Sequence, residues 1–137
     1  MLHNQFIEKR YFFILKGGDN GMIKNRIKRD YALKHVDMLI ENLSMMCKHA
    51  KKVKCPGLVG FNQALKNTKN LRKVLNKKKF VFSPRQWSSL IDSAVFMILL
   101  VRKIYSLFFN CKLNKIIIYE IWKNYTAITY CRGNLAI

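Results

Sequence analysis

The chain has 137 residues, half of them apolar, which suffices for one ordinary domain with a buried core and argues against a disordered chain. Its 26 Lys and Arg against 7 Asp and Glu give a formal net charge of +19 at pH 7. This excess favours a nucleic acid as partner, with an anionic membrane surface second and an acidic protein a distant third.

The charge is also segregated along the chain. Residues 42–91 contain no Asp and no Glu. Cations at this density repel one another within a Debye length unless an anion lies among them, so the stretch predicts a phosphate-bearing partner. The alternative is a solvated face without a ligand. The predicted nucleic-acid-binding residues are Lys48, Lys51, Lys52, Lys54, Lys66, Lys69, Arg72, Lys73, Lys77, Lys78, Lys79 and Arg85.

The N-terminal segment is predicted to be a short strand or helix over residues 5–15. A Gly-rich breaker at residues 17–21 follows it, and Met22 comes directly after that breaker. Residues 1–21 are therefore predicted to be an appendage to a basic helical core over residues 22–110, with residues 111–137 as a C-terminal tail.

The first core helix is predicted over residues 22–50. Its apolar residues recur at alternating steps of four and three, which is typical of an amphipathic helix with one core face. The cations near its start have the wrong sign for a helix N-terminus, a penalty that contact with phosphate would offset. The predicted core face consists of Ala32, Val36, Leu39, Leu43, Met46 and Ala50.

Pro56 and Gly57 mark a turn, after which a second helix is predicted over residues 58–79. Lysines step by three and four residues along the side opposite its apolar face, so they should form one row. The row consists of Lys66, Lys69, Lys73 and Lys77, and the apolar face of Phe61, Leu65, Thr68, Leu71 and Leu75, with support from Ala64 and Val74.

Ser83, Pro84 and Gln86 predict the start of a third helix, with Ser at the N-cap, Pro at the first helical position and Gln completing a capping box. This helix is predicted to reach about residue 110 and to be buried on most of its circumference, Val95 included. Its uncharged run over residues 93–101 is too short for a bilayer, which requires roughly 20 apolar residues. No transmembrane segment is therefore predicted.

The tail over residues 111–137 allows either a fourth helix, over residues 113–122, or a β hairpin, because β-branched and aromatic residues are frequent there. The helix is favoured, since three helices with wide apolar faces need a fourth to cover them. The predicted fold class is therefore mostly all-α, a small bundle of three to four helices.

Three groups of residues invite a chemical interpretation. Cys47, His49 and Cys55 offer soft ligands but lack a paired CxxC knuckle, so no metal and no cofactor is predicted, and the cysteines are expected to be reduced. Arg29 and His35 resemble the RNase motif of the HEPN superfamily, but they converge only if a helix starts or kinks between them. No catalytic residue is predicted. Aromatic residues that would stack on unpaired bases, unless they belong to the core, are Phe61, Phe80, Phe82 and Trp87.

The order of features over roughly residues 24–105 resembles a four-helix-bundle family that includes the accessory variability determinants of diversity-generating retroelements and the proteins of ribosomal intervening sequences. The resemblance implies a basic, oligomeric bundle that binds nucleic acid and a reverse transcriptase. Residues 96–100 replace the Gly-rich end of that family's last helix, and the tail has no counterpart. The matching residues are Ile27, Lys28, Arg29, Asp30, Ala32, Leu33, Leu39, Ile40, Glu41, Leu71, Arg72, Leu75, Ser83, Arg85, Gln86, Trp87 and Leu90.

Together these patterns predict a non-catalytic RNA-binding or nucleic-acid-binding accessory protein of a ribonucleoprotein, contacting phosphates through the Lys-rich helix face. The protein partners considered are other proteins of that particle, a reverse transcriptase and a second copy of the chain. A divergent organellar or other ribosomal protein is the main alternative, and a HEPN-like RNase is the second. The expected location is the cytoplasm, or the organellar matrix for an organelle-encoded chain.

Overall fold

The computed structural model describes residues 21–77 and 82–131, with side chains from residue 26 onward. The helices of this part are α1 (Gly21–Lys52), α2 (Leu58–Leu75), α3 (Pro84–Leu107) and α4 (Lys115–Thr129), with a short 3-10 turn at Phe109–Cys111. The described ranges contain no strand. The predicted helical bundle is thus confirmed, whereas the hairpin considered for the tail is wrong over residues 115–129, which form α4.

Successive helices run antiparallel. At one end of the bundle Arg29 Nη1 donates a 3.2 Å hydrogen bond to the carbonyl of Lys77, which joins the first turns of α1 to the chain after α2. At the other end His49 Nε2 donates to the carbonyl of Lys112 at 3.0 Å, which joins the last turns of α1 to the segment before α4. α1 packs against α2 and α4, and α4 also packs against α3. The contact between α2 and α3 is less extensive, so these two helices border a groove.

The core face predicted for α1 is confirmed, because all six of its residues are fully buried. α1 ends in a Schellman motif, in which the amide of Cys55 donates to the carbonyl of Ala50 at 2.8 Å and the amide of Lys54 to that of Lys51 at 3.2 Å. Lys54 has a φ of 56°, the left-handed conformation that usually selects Gly at this position. The α1–α2 turn is therefore closed by the backbone, and Lys54 is exposed on it.

α2 is shorter than predicted and ends at Leu75, with Asn76 as its C-cap. Phe61, Thr68 and Leu75 are fully buried, which confirms the centre of the predicted apolar face. Val74 is predicted on that face, but its side chain is 42% exposed because it lines the groove beside α3. The periodicity thus identifies the helix and its core side, but not how closely the neighbouring helix approaches.

α3 begins as predicted. Ser83 Oγ accepts a 3.2 Å hydrogen bond from the amide of Gln86, and Gln86 Oε1 accepts one of 2.8 Å from the amide of Ser83, so the capping box is complete. The prediction that α3 is buried on most of its circumference is wrong. Val95, Phe96, Leu99 and Leu107 are all exposed, because α3 has close neighbours on its core side only.

α4 extends seven residues beyond the predicted end at residue 122. Asn114 is its N-cap, and its Oδ1 accepts from the amides of Ile116 and Ile117 at 3.0 and 3.3 Å. Ile121, Tyr125 and Ile128 are fully buried against the other helices. The segment predicted as a tail therefore contributes one wall of the same core. No helix of the described residues has the length and apolarity that crossing a membrane requires.

The hydroxyl of Tyr125 lies in the core, where it shares a 2.7 Å hydrogen bond with Thr68 Oγ1, which also bonds to the carbonyl of Ala64. Burial raises the pKa of Tyr125 to about 12, and burial likewise raises the pKa of the Cys131 thiol to about 12. Both groups are therefore neutral in the folded chain at pH values where they ionise in the unfolded chain.

We expect the free energy of unfolding to fall as the pH rises from about 10 to 12. Tyr125 has its ordinary pKa of about 10 when unfolded, so its contribution is intact below pH 10 and is lost as the pH passes the folded value; the loss is up to about 3 kcal/mol. Urea titrations at pH 8, 10 and 11 measure this slope. Tyr125→Phe keeps the ring without the ionisable hydroxyl and should make the slope shallower, leaving the part that Cys131 contributes. An equal slope in both proteins would contradict the prediction.

Candidate nucleic-acid interface

The four lysines of the predicted row are all exposed. Lys66, Lys69 and Lys73 lie on α2, and Lys77 lies just past its C-cap. Residues 61, 64, 68 and 75 are buried on the opposite side of the same helix. The row, named here the lysine row, is thus displayed by a helix that is anchored to the core through its other face. Lys78 and Lys79 lie outside the described residues.

Arg72 is on α2 as well, but it is engaged within the protein. Its Nε lies 2.7 Å from Asp37 Oδ1 of α1, in an ion pair whose two side chains are about half exposed. Such a pair contributes little to stability, since water screens it. It does cancel one of the positive charges assigned to the interface, so Arg72 belongs to the α1–α2 contact and not to the free cations of the lysine row.

The positive charge of Lys69 on α2 affects the Cys47 thiol on α1. Burial raises the pKa of the half-buried Cys47 thiol, and the positive charge of Lys69 opposes that shift. The charge of Lys69 therefore acts on Cys47 of α1, the residue that directly precedes Lys48.

A second basic group, the α1-end cluster, consists of Lys48, Lys51, Lys52 and Lys54, all exposed. Lys51 and Lys52 lie in the last turn of α1, where cations interact favourably with the helix macrodipole. Helix stability alone can therefore account for these two lysines. The hydrogen bond from His49 to the carbonyl of Lys112 brings a further exposed lysine to this cluster. Lys112 is not among the predicted binding residues, because its contact with His49 spans 63 residues and no local sequence pattern indicates such a contact.

We expect Lys54→Gly to separate stability from binding. Gly adopts the left-handed backbone of position 54 without strain, so stability should be unchanged or rise by about 1 kcal/mol. RNA affinity should still fall, because one cation is lost. The control is Lys48→Gly, which removes the same charge from α1 and should cost about 1 kcal/mol. Thermal melts check both values, and a clear loss of stability in Lys54→Gly would contradict the prediction.

The opposite end of the lysine row meets the start of α1. The hydrogen bond from Arg29 to the carbonyl of Lys77 brings the cations of the first α1 turns beside the end of α2. Among them, Lys28 Nζ lies 5.7 Å from the ring centroid of Trp87, and Arg26 is exposed. The sequence indicated that these cations could contact phosphate, and the helix hairpin places them next to the lysine row.

The aromatic residues predicted as stacking candidates do not face solvent where the structure describes them. Phe61 is fully buried, Phe82 is 4% exposed and Trp87 is 5% exposed, and the last two pack edge to face with ring centroids 5.1 Å apart. The stacking interpretation is therefore wrong for these three residues, whose apolar-phase positions belong to the core. Phe80 lies outside the described residues. Phe96, by contrast, is 57% exposed on α3.

Arg29 and His35 are not brought together. Both lie within the unbroken helix α1, where six residues of separation rotate two side chains roughly 240° apart. Arg29 bonds to the chain after α2, whereas His35 is buried and its Nδ1 donates to Asn124 Oδ1 of α4 at 2.8 Å. The condition that the motif required, a helix start or kink between the two residues, is not met.

The cysteines are free thiols. Cys47 lies on the partly buried side of α1 and Cys55 is buried in the α1–α2 turn. A hydrogen bond with Cys55 and burial raise the pKa of Cys111, which leaves its thiol protonated at neutral pH. Within residues 21–77 and 82–131, no three His, Cys, Asp or Glu side chains are grouped so as to hold a metal ion.

Comparison with protein-family models, with curated proteins and with solved structures found no match for this chain. The arrangement of its own charged, polar and aromatic side chains is therefore the basis for a functional proposal.

Proposed function

We propose that the protein binds RNA, or nucleic acid generally, as a non-catalytic accessory component of a ribonucleoprotein. The observation that carries the proposal is the lysine row: Lys66, Lys69, Lys73 and Lys77 are exposed on one side of a segment whose opposite side is buried in the core. A polyanion lying along this side would neutralise the row.

The spacing of the lysine row suits a phosphate backbone. Steps of three and four residues separate successive lysines on a helix by roughly 4.5 to 6 Å along its axis. Successive phosphates of one strand advance about 3.4 Å along a duplex axis, and further when the strand is extended. Flexible lysine side chains can accommodate the difference, so each lysine can reach a separate phosphate of the same strand.

Among the residues that the structure describes, no acidic side chain pairs with the lysine row. Asp37, which lies on the adjacent side of α1, is bound by Arg72. No carboxylate occurs anywhere in residues 42–91. The row also lies along the length of α2 and not only in its last turn, so the helix macrodipole does not account for it. These features favour an external anion over a merely solvated face.

The protein partners follow from the family resemblance, which adds a reverse transcriptase and a second copy of the chain to the proposal. Self-association in the absence of RNA would favour this retroelement setting, whereas a monomer that binds only with rRNA would favour a ribosomal component. Analytical ultracentrifugation of RNA-free protein distinguishes the two.

Filter binding to a short RNA across a salt series tests the proposed function. Four lysine–phosphate contacts predict a plot of log K against log salt with a slope of roughly −3, and contacts from the α1-end cluster would steepen it. A slope corresponding to fewer than about three phosphates would overturn the proposal. Binding to anionic vesicles with no binding to RNA would instead favour a membrane surface.

A further inference from the structure

The groove between α2 and α3 has a volume of about 770 Å³, which lies within the range of roughly 300 to 1,000 Å³ typical of ligand sites. Its walls come from Asn67, Asn70 and Val74 of α2 and from Arg85 and Phe96 of α3, among others. A second cavity of about 310 Å³ shares Leu71, Val74, Ser89 and Ser93 with it and continues along the same helix pair. The groove is therefore an elongated trough.

The groove lies directly beside the lysine row. Residues 67, 70, 71 and 74 face it, and on a helix these positions lie about a quarter turn from Lys66, Lys73 and Lys77. Lys77 itself lines the smaller cavity, and Arg85 lies on the opposite wall of the larger one. A strand whose phosphates follow the lysine row would thus have its bases within reach of the groove.

The lining of the groove suits a base better than a phosphate. Asn70 offers an amide that can both donate and accept hydrogen bonds, as the edge of a base requires. Within the described ranges the side chains of Asn70 and Ser88 bond to no other group, so they are available to a ligand. Phe96 adds an aromatic ring that is 57% exposed at the edge of the groove.

We propose that the α2–α3 groove takes unpaired bases of a single-stranded RNA, with Phe96 as the stacking platform and the lysine row holding the phosphates. This inference rests on the proposed function and specifies its substrate class. A duplex keeps its bases stacked inside and can engage only the lysine row, whereas an unpaired strand engages both surfaces.

The test compares wild type and Phe96→Ala by fluorescence anisotropy on an unstructured 12-nucleotide RNA, a blunt RNA duplex and inorganic polyphosphate. Phe96→Ala should weaken binding to the single strand roughly 5-fold or more, as expected for the loss of one stacked base. Binding to the duplex and to polyphosphate should be unchanged, because neither presents an unpaired base. The salt dependence should also be unchanged.

Two further variants serve as controls. Leu99→Ala removes an equally exposed apolar side chain from α3 that does not line the groove, and it should leave all three affinities unchanged. Phe96→Tyr keeps the ring and should retain binding to the single strand.

An effect of Phe96→Ala on polyphosphate as large as on RNA, or no effect on RNA at all, would overturn the groove inference while leaving the lysine row intact. The absence of salt-dependent binding to any of the three polyanions would overturn the proposed function itself. Preferential binding of poly-glutamate would indicate an acidic protein partner and would overturn both.

Discussion

Replacing Lys66, Lys69, Lys73 and Lys77 together with Gln should lower the affinity for single-stranded RNA roughly 10²- to 10³-fold at about 0.1 M salt. The physical reason is counterion release, since each lost lysine–phosphate contact removes the gain from freeing a condensed cation. The slope of log K against log salt should become shallower by roughly 3. Because all four side chains are exposed, the fold should be retained, which circular dichroism can verify.

The matched control removes four cations that line the grooves on either side of α4, through Gln at Lys34 of α1, Arg102 of α3, and Lys115 and Lys123 of α4. Its net charge equals that of the lysine-row variant, so any effect of overall charge is common to both. We expect the control to lose less than a tenth as much affinity. Equal losses would mean that RNA responds to the total charge of the protein and not to the lysine row.

The second large effect concerns the anchoring of α2. Phe61 is fully buried, and Phe61→Ala should lower the free energy of unfolding by about 3 to 5 kcal/mol, because the lost apolar contacts leave a cavity. This is a large part of the stability of a typical domain. Urea denaturation followed by circular dichroism measures the change.

Val59→Ala is the control for this substitution. Val59 lies on the same helix but is 75% exposed, so its truncation should change stability by no more than about 0.5 kcal/mol. Similar effects of the two substitutions would contradict the orientation of α2, and with it the outward position of the lysine row. Loss of RNA affinity in Phe61→Ala under conditions where it unfolds would further link binding to the folded scaffold.

The sequence predicted the features that repeat at helical spacing. The core face of α1 and the capping box of α3 were both predictable, because each depends on residues a few positions apart along one helix. The lysine row was predictable for the same reason. Its opposition to Phe61, Thr68 and Leu75 follows from helical geometry and needs no information on other elements.

Features that depend on distances between helices were not predictable. The exposure of Val74 and Phe96 follows from the separation of α2 and α3, which no local pattern encodes. The pairing of Arg72 with Asp37 spans 35 residues and removes a cation from the predicted interface. The length of α4 was underestimated because its Ile and Tyr residues favour strands, and packing against α1 and α3 overrides that preference.

The predicted set of twelve cations therefore divides into parts with different roles. The lysine row is a helical face, the α1-end cluster surrounds a Schellman turn, and Arg85 stands across the groove from the row. A patch that is uniform in sequence thus becomes a directional surface, with exposed lysines on one side of a trough and the exposed ring of Phe96 on the other.

Lysine acetylation footprinting with and without the 12-nucleotide RNA, read by mass spectrometry, tests the central claim most directly. The free protein provides its own baseline, because Lys66, Lys69, Lys73 and Lys77 are exposed, as are Lys34 and Lys115, which line the grooves on either side of α4. We predict that RNA protects the first four and leaves the last two reactive. Equal protection of both groups, or stronger protection of Lys34 and Lys115, would contradict the account.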